Sequence, residues 1–312
     1  VRREKFILKK IQIILYVISI AAIVYFIIHY KDSLSVVLNL NAWELSFLLI
    51  LGGLLIALQA FQFSVITRVI SKNISFLDML AITSISSMYN YILPASGGGI
   101  AVRSALLNRK FNIPWSKVAA LMGAFYLSGY FAMALLLLIT SSIAYCHLSI
   151  NSEVYLIAIG FFAILSLFII FLYRWQPVDR TAKNRLIQFV HNIKTGLDKF
   201  KGEYNRIFIN ICCQIGIIFI FAVKLFFSYH FLEIEITYWN VFLLQSFLSL
   251  SLLFSITPGN IGIREGVIVF FAGFLGLSAE HALFGALVDR ASSLLIVFLF
   301  GLAGKFWYFK SG

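Results

Sequence analysis

The sequence predicts an all-α polytopic integral membrane protein with about six full transmembrane helices. Two Pro/Gly-broken re-entrant hairpins in an inverted repeat complete the expected fold. Three observations carry this. The chain is 61% apolar and 12% charged, with a mean hydropathy of +0.94, whereas soluble domains run near half apolar and a quarter charged. Six apolar runs approach the roughly 20 residues that a bilayer core of about 30 Å demands. Two further apolar stretches, 74–108 and 238–278, are interrupted near their middles by Pro and Gly. Together these exclude a soluble enzyme, a disordered chain and a nucleic-acid-binding module. The excess of 25 Lys+Arg over 13 Asp+Glu reads as basic cytoplasmic loops.

The first run, Ile11–Ile28, follows the charged segment VRREKFILKK. It has no small-residue cleavage site and more apolar runs follow it, so a retained helix is expected rather than a signal peptide. The next full spans are Leu45–Ile66, Val118–Ala144, Val154–Tyr173, Ile207–Leu232 and Ala282–Phe306. The interrupted stretches read YNYILPASGGGIAVR and FSITPGNIGIR. Their breaks fall at Pro94, Gly97, Gly98 and Gly99, and at Pro258, Gly259 and Gly262. Their second limbs, Ile100–Asn108 and Ile263–Leu277, are short for a full crossing. A pair of hairpins, each entering and leaving by one face, is the economical reading.

One domain over 1–312 is expected, with a first half at 1–173, a linker at 174–206 and a second half at 207–312. In the linker Leu186, Ile187, Val190, Ile193, Leu197 and Phe200 recur at helical spacing among basic residues. That pattern predicts an amphipathic helix on the inner leaflet. Cys146, Cys212 and Cys213 give no disulfide framework, and the adjacent pair reads as small lipid-facing or packing residues. The 32 Phe and 14 Tyr read as lipid-facing bulk and an interfacial belt.

Charge distribution sets the expected orientation. With both termini in the cytoplasm of a cell-membrane protein, twenty of the 25 Lys and Arg fall on the cytoplasmic side and only Lys31 falls outside. Asp32, Glu153, Glu233, Glu235 and Glu280 gather on the outer side. Helix 45–66 then runs inward, the first hairpin opens to the cytoplasm, and helix 118–144 runs outward. Helix 207–232, the second hairpin and helix 282–306 repeat the unit upside down. Aligning Pro94 with Pro258 sets Gly98 opposite Gly262 and leaves Arg103 and Arg264 three residues out of register. Inverted repeats with interrupted helices suit transporters, whose substrate sites lie where the breaks meet.

Arg103, Lys224, Arg264 and Arg290 remain within expected membrane depth, each costing about 2.5–3.5 kcal/mol if left alone. The deep acids are Glu265 and Asp289. Adjacent side chains on a helix diverge, so Arg264–Glu265 and Asp289–Arg290 are expected to bond across elements. Arg103 and Arg264 follow Gly-rich breaks, where exposed backbone N–H groups also attract anions, and guanidinium forks match phosphate. Lys224 reads as a third cation of the site or as a residue snorkelling to the outer interface. Asp289 with Arg290 also fits a structural pair. Asn90, Ser96, Thr257 and Asn260 add small polar groups at the breaks, or cap them. No catalytic residue, metal site or cofactor is expected: HExxH, GxSxG, Walker signatures and Cys/His clusters are missing.

LPASGGGIAVRSALL (93–107) with NIPWSKVAA (112–120), and TPGNIGIREGVIV (257–269) with GLSAEHALFGALVDR (276–290), resemble two signature regions of the lysylphosphatidylglycerol synthase transmembrane-region family, also described as flippase-like. The similarity extends over nearly the whole chain. Fused members carry a soluble aminoacyltransferase domain after the membrane part, and this sequence stops at Gly312. The resemblance therefore implies movement of an anionic phospholipid or a lipid-linked (polyprenyl-phosphate or glycolipid) intermediate between leaflets. A membrane-embedded aminoacyl- or glycosyl-lipid synthase component, or a non-catalytic partner of a separate glycosyltransferase or aminoacyltransferase, is the alternative. Membrane lipids and further copies of the chain are open as partners, and nucleic acid is not. Where members often show an acid–Arg pair after the first signature, this chain has Ala124-Phe125-Tyr126. The resemblance thus implies an asymmetric site leaning on the second half.

Overall fold

The computed structural model describes residues 40–71, 74–93, 97–147, 152–174, 202–252, 258–260, 262–273 and 276–310, with a few positions between 188 and 200. The expected helix at 11–28, Pro94, Ser96, Thr257 and most of the amphipathic linker lie outside the described residues. Among the described residues there are nine α-helices and no strand. They are α1 (Ala42–Thr67), α2 (Phe76–Ile92), α3 (Gly97–Phe111), α4 (Trp115–His147), α5 (Ser152–Arg174), α6 (Tyr204–His230), α7 (Tyr238–Ser251), α8 (Ile263–Ala272) and α9 (Ala279–Lys310).

Local chemistry sets several starts. The Asn41 N–H donates to the Glu44 carboxylate at 2.9 Å before α1. Ser75 Oγ accepts from the Asp78 N–H at 3.1 Å, and Thr237 Oγ1 from the Asn240 N–H at 3.4 Å, capping α2 and α7. Among the described residues four helices are long and apolar enough to cross a membrane: Ala42–Thr67, Lys117–Cys146, Tyr204–His230 and Ala279–Tyr308. The expected span Val154–Tyr173 falls on α5, which holds a shorter apolar stretch, Tyr155–Phe171. Ile50, Leu54, Ile164, Leu167, Phe208 and Phe306 stand on the outer surface. Water would penalise so much apolar surface and lipid does not. This is a multi-pass helical membrane protein.

The aromatic residues are not confined to that surface. Phe63 and Tyr229 are fully buried, and the Tyr229 hydroxyl donates to the Ala282 carbonyl at 2.8 Å. Of the adjacent cysteines, Cys212 is exposed and Cys213 buried.

Both interrupted stretches form two helices side by side. From the break outward, the Gly99 N–H donates to Asn90 Oδ1 (2.9 Å), Arg103 Nε to Ser86 Oγ (3.1 Å), and Lys110 Nζ to Asp78 Oδ1 (2.7 Å). Residue numbers fall on α2 as they rise on α3, so the limbs are antiparallel. In the second pair Asn260 Nδ2 reaches Ser251 Oγ at 3.1 Å, and Phe247 stacks on Phe271 with centroids 4.0 Å apart. Helix α8 has 10 residues, a rise of about 15 Å or half a bilayer core.

Two boundaries differ from expectation. The second limb ends at Ala272 rather than Leu277, where Gly276 turns the chain at φ 72°. Gly97–Gly99, expected as the break itself, form the first turn of α3. Their value is close approach: a Cβ on Gly98 would stand 2.5 Å from Leu93 Cβ. The second break does use positive φ, at Gly259 (57°), Asn260 (60°) and Gly262 (85°).

The halves interlock. Helix α2 packs on α9 and α7 packs on α4, while α1 packs on α6. Exchanging the halves maps this scheme onto itself. Trp43 meets Phe231 (5.2 Å), Phe47 meets Phe227 (4.7 Å), and Gln62 Nε2 donates to Gln214 Oε1 (3.0 Å), so α1 and α6 run antiparallel. Glycine lets α9 approach α2, since a Cβ on Gly301 would lie 2.7 Å from Met88 Cβ.

Candidate functional site

Three of the four deep cations meet both deep acids. Lys224, on α6, is fully buried and points inward. Its ammonium donates to Asp289 Oδ1 (2.8 Å), the Asp289 carbonyl (2.7 Å), Ser292 Oγ (2.8 Å) and Ser293 Oγ (2.8 Å). The snorkelling reading is thereby overturned, because a dense set of acceptors inside the bundle replaces water for this ammonium. Arg264 Nη2 donates to the other Asp289 oxygen at 2.6 Å. Arg290 pairs with Glu265 and donates from Nη2 to the Gly259 carbonyl at 2.5 Å. Glu265 in turn accepts the Gly262 N–H at 2.7 Å, capping α8. Sequence neighbours have exchanged partners between α8 and α9, as diverging side chains require. The network fixes the second break to α9 with hydrogen-bonded charge pairs, which is how buried ions become tolerable.

Arg103 is held differently. Its Nε–H donates to Ser86 Oγ, and its guanidinium lies 4.5 Å above the Phe63 ring. Phe63 packs edge-on to Phe125 at 5.4 Å, and Phe125 adjoins Tyr126 at 5.3 Å. Only 8% of Arg103 is exposed, and no carboxylate pairs with it among the described residues.

Arg103 and Arg264 line one cavity of ≈290 Å³. Its wall overlaps at Gln59, Ser87, Asn90 and Tyr91 with that of a second cavity of ≈230 Å³, which continues along Leu55, Ile56, Ile296 and Val297 between α1 and α9. The breaks adjoin here: a Cβ on Gly259 would stand 2.7 Å from Tyr91 Cδ1.

The expected site residues therefore separate. Arg103, Arg264, Asn90, Asn260 and Gly259 line the cavity. Lys224, Glu265, Asp289 and Arg290 form the network that holds Arg264. Asn90 also caps α3 through Gly99. Residues not anticipated complete the wall: Gln59, Gln62, Gln214, Gln245, Tyr91 and Tyr126. Their signal was available, since an amide inside an apolar run is costly without partners. Gln62 and Gln214 bond each other, and Gln62 Nε2 also reaches the Asn210 carbonyl at 3.2 Å.

Comparison with known proteins agrees with the two signature regions. The family model described as lysylphosphatidylglycerol synthase TM region matches residues 12–301. A UPF0104 membrane protein of Methanothermobacter thermautotrophicus is 21% identical, over 96% of this chain and 93% of the relative. With the match spanning both broken helix pairs and the cavity between them, the chain belongs to the lysylphosphatidylglycerol synthase TM-region family.

Proposed function

We propose that this protein moves an anionic phospholipid or lipid-linked intermediate across the cell membrane, with its phosphate held between the two broken helix pairs. The observation that carries the reading is Arg103: a buried guanidinium without a carboxylate among the described residues, facing the cavity that Arg264 also lines. A phosphate entering that cavity is costly to desolvate. Arg103 compensates it with donors of matching geometry and is itself compensated. The second cavity, walled on one side by Leu55, Ile56, Ile296 and Val297, gives the apolar part of the lipid nearest the head group a place beside it. Glu265 and Asp289 both carry arginines, so neither stands as a free base for group transfer.

In this reading both termini face the cytoplasm and the two broken pairs open to opposite faces. The antiparallel limbs, the shortness of α8 and the antiparallel α1 and α6 support that arrangement. Cysteines placed at Asn151 or Glu235 react with an impermeant reagent outside intact cells, and cysteines at Lys183 do not. The reverse pattern contradicts the orientation. The function is tested with the purified protein in proteoliposomes, following labelled lipids leaflet by leaflet. Faster movement of lipids with an anionic phosphodiester than of zwitterionic ones is expected. No acceleration of any anionic lipid contradicts the proposal.

A further inference from the structure

Lys224 brings more charge into the bundle than its partners cancel. Lys224, Arg264 and Arg290 are three cations against two acids, Asp289 and Glu265, and Asp289 serves two of them. The network keeps one positive charge in excess. Arginines do not give up a proton, so Lys224 is the member through which that charge can leave. Its surroundings fit both protonation states. Four oxygens lie 2.7–2.8 Å from Nζ, one more than an ammonium has N–H groups. The Ser292 hydroxyl is directed to the Val288 and Asp289 carbonyls at 3.0 Å and can only accept from Lys224. The Ser293 hydroxyl has no other hydrogen bond among the described residues, so it accepts from an ammonium and donates to a neutral amine. Ser293 also stands on the wall of the second cavity, and Arg264, its side chain 17% exposed, on the wall of the first. Asp289 from α9 and Arg264 beyond it on α8 are the charged groups facing Lys224. Tyr229, one turn along α6, keeps its hydroxyl on the Ala282 carbonyl. On the other packed helices, Glu44 of α1 bonds the Asn41 N–H, Tyr130 of α4 stacks on Tyr126, and Tyr238 of α7 packs on Phe219 and Phe226.

We infer that Lys224 takes up a proton as an anion enters the cavity and releases it as the anion leaves, so that a proton accompanies the lipid. The inference rests on the anionic-lipid reading and adds its coupling. An anion on Arg264 offsets the excess positive charge, and Lys224 then holds its proton. Once the anion has left, an N–H proton passes from Nζ to Ser293 Oγ while the hydroxyl proton passes to water in the cavity. The Ser293 hydroxyl, now carrying the former ammonium proton, donates to the neutral amine. Such coupling is reciprocal: protonation strengthens anion binding by the same factor as the anion strengthens protonation.

The test adds short-chain phosphatidylglycerol to the purified full chain in weakly buffered detergent and reads bound lipid and proton uptake together. A phosphodiester lacks the ionisation that a monoester shows at about pH 6, so protons taken up go to the protein. At some pH between about 6 and 9, uptake should reach at least about half a proton per lipid bound, and affinity should fall as pH rises through it. Ser293→Ala, which keeps the Lys224–Asp289 pair, should reduce uptake at least about twofold. Lys224→Met removes the excess charge, leaves Arg264–Asp289 and Arg290–Glu265 in place, and should abolish uptake. Should Lys224→Met fail to fold, Ser293→Ala decides alone. In proteoliposomes an imposed gradient of one pH unit should enrich the lipid up to about tenfold in the leaflet on the alkaline side. Binding without uptake across that range overturns the inference, and so does full uptake by either folded variant. Lipid movement that the gradient does not bias overturns it too. If phosphatidylglycerol does not bind at all, the anionic-lipid reading itself falls, and this one with it.

Discussion

The two broken helix pairs share a plan and differ in charge. Each bridges its break with a hydrogen bond nine residues long, Asn90 to Gly99 in the first and Asn260 to Ser251 in the second. Each carries an arginine on its second limb. The sequence offset that takes Pro94 to Pro258 also takes Phe125 and Tyr126 to Asp289 and Arg290. Where the second half has an acid and an arginine on α9, the first half has two aromatic residues on α4. Arg264 consequently finds a carboxylate at 2.6 Å, and Arg103 finds the face of Phe63. One half of the pattern is a lock closed by its own charges. The other leaves a cation facing the cavity.

This contrast can be broken first where the lock is strongest. Asp289→Ala strands Lys224 and Arg264 without their carboxylate and should cost about 3–5 kcal/mol. Membrane abundance and thermal unfolding in detergent should both fall sharply. Preserved abundance would show that the network is not structural. Phe125→Asp gives the first half the acid it lacks. If Arg103 works by having no carboxylate among the described residues, lipid transport should fall about tenfold, equivalent to about 1.4 kcal/mol, with abundance retained; unchanged transport would separate the asymmetry from function. Glu265→Gln keeps the size of the side chain but loses its charge toward Arg290 and weakens the cap on Gly262. A loss of about 1.5–3 kcal/mol in stability is expected, smaller than for Asp289 because one acid partner serves one cation. Asn90→Ala removes the cap on α3 together with a polar group of the cavity wall, and should cost about 1 kcal/mol of stability, read as a small drop in melting temperature.

The membrane class, the helix runs among the described residues and the interruption of both stretches were legible because apolar length and Pro/Gly interruption are local properties. Cross-element pairing of Glu265 and Asp289 was legible too, from the divergence of adjacent side chains. The fate of Lys224 was not. Snorkelling and burial differ only in which way α6 is turned, and that depends on Ser292, Ser293 and Asp289 arriving from α9. The expectation that the site leans on the second half followed from the missing acid–Arg pair. In the fold that absence leaves Arg103 without a carboxylate among the described residues, a consequence visible only once Phe63 packs between Arg103 and Phe125. The glutamines of the cavity could have been marked as costly amides in apolar runs, but not joined to one another.

Arg103 carries the central claim, and transport at matched abundance tests it most directly. Arg103→Gln and Arg103→Lys would be reconstituted at equal protein-to-lipid ratio and the movement of an anionic phospholipid followed leaflet by leaflet. The account predicts normal folding for both, since no carboxylate among the described residues pairs with Arg103. Transport should fall at least about tenfold for Arg103→Gln and less for Arg103→Lys, whose ammonium keeps the charge but not the fork. Arg103→Gln transporting at the unaltered rate and normal abundance would contradict it.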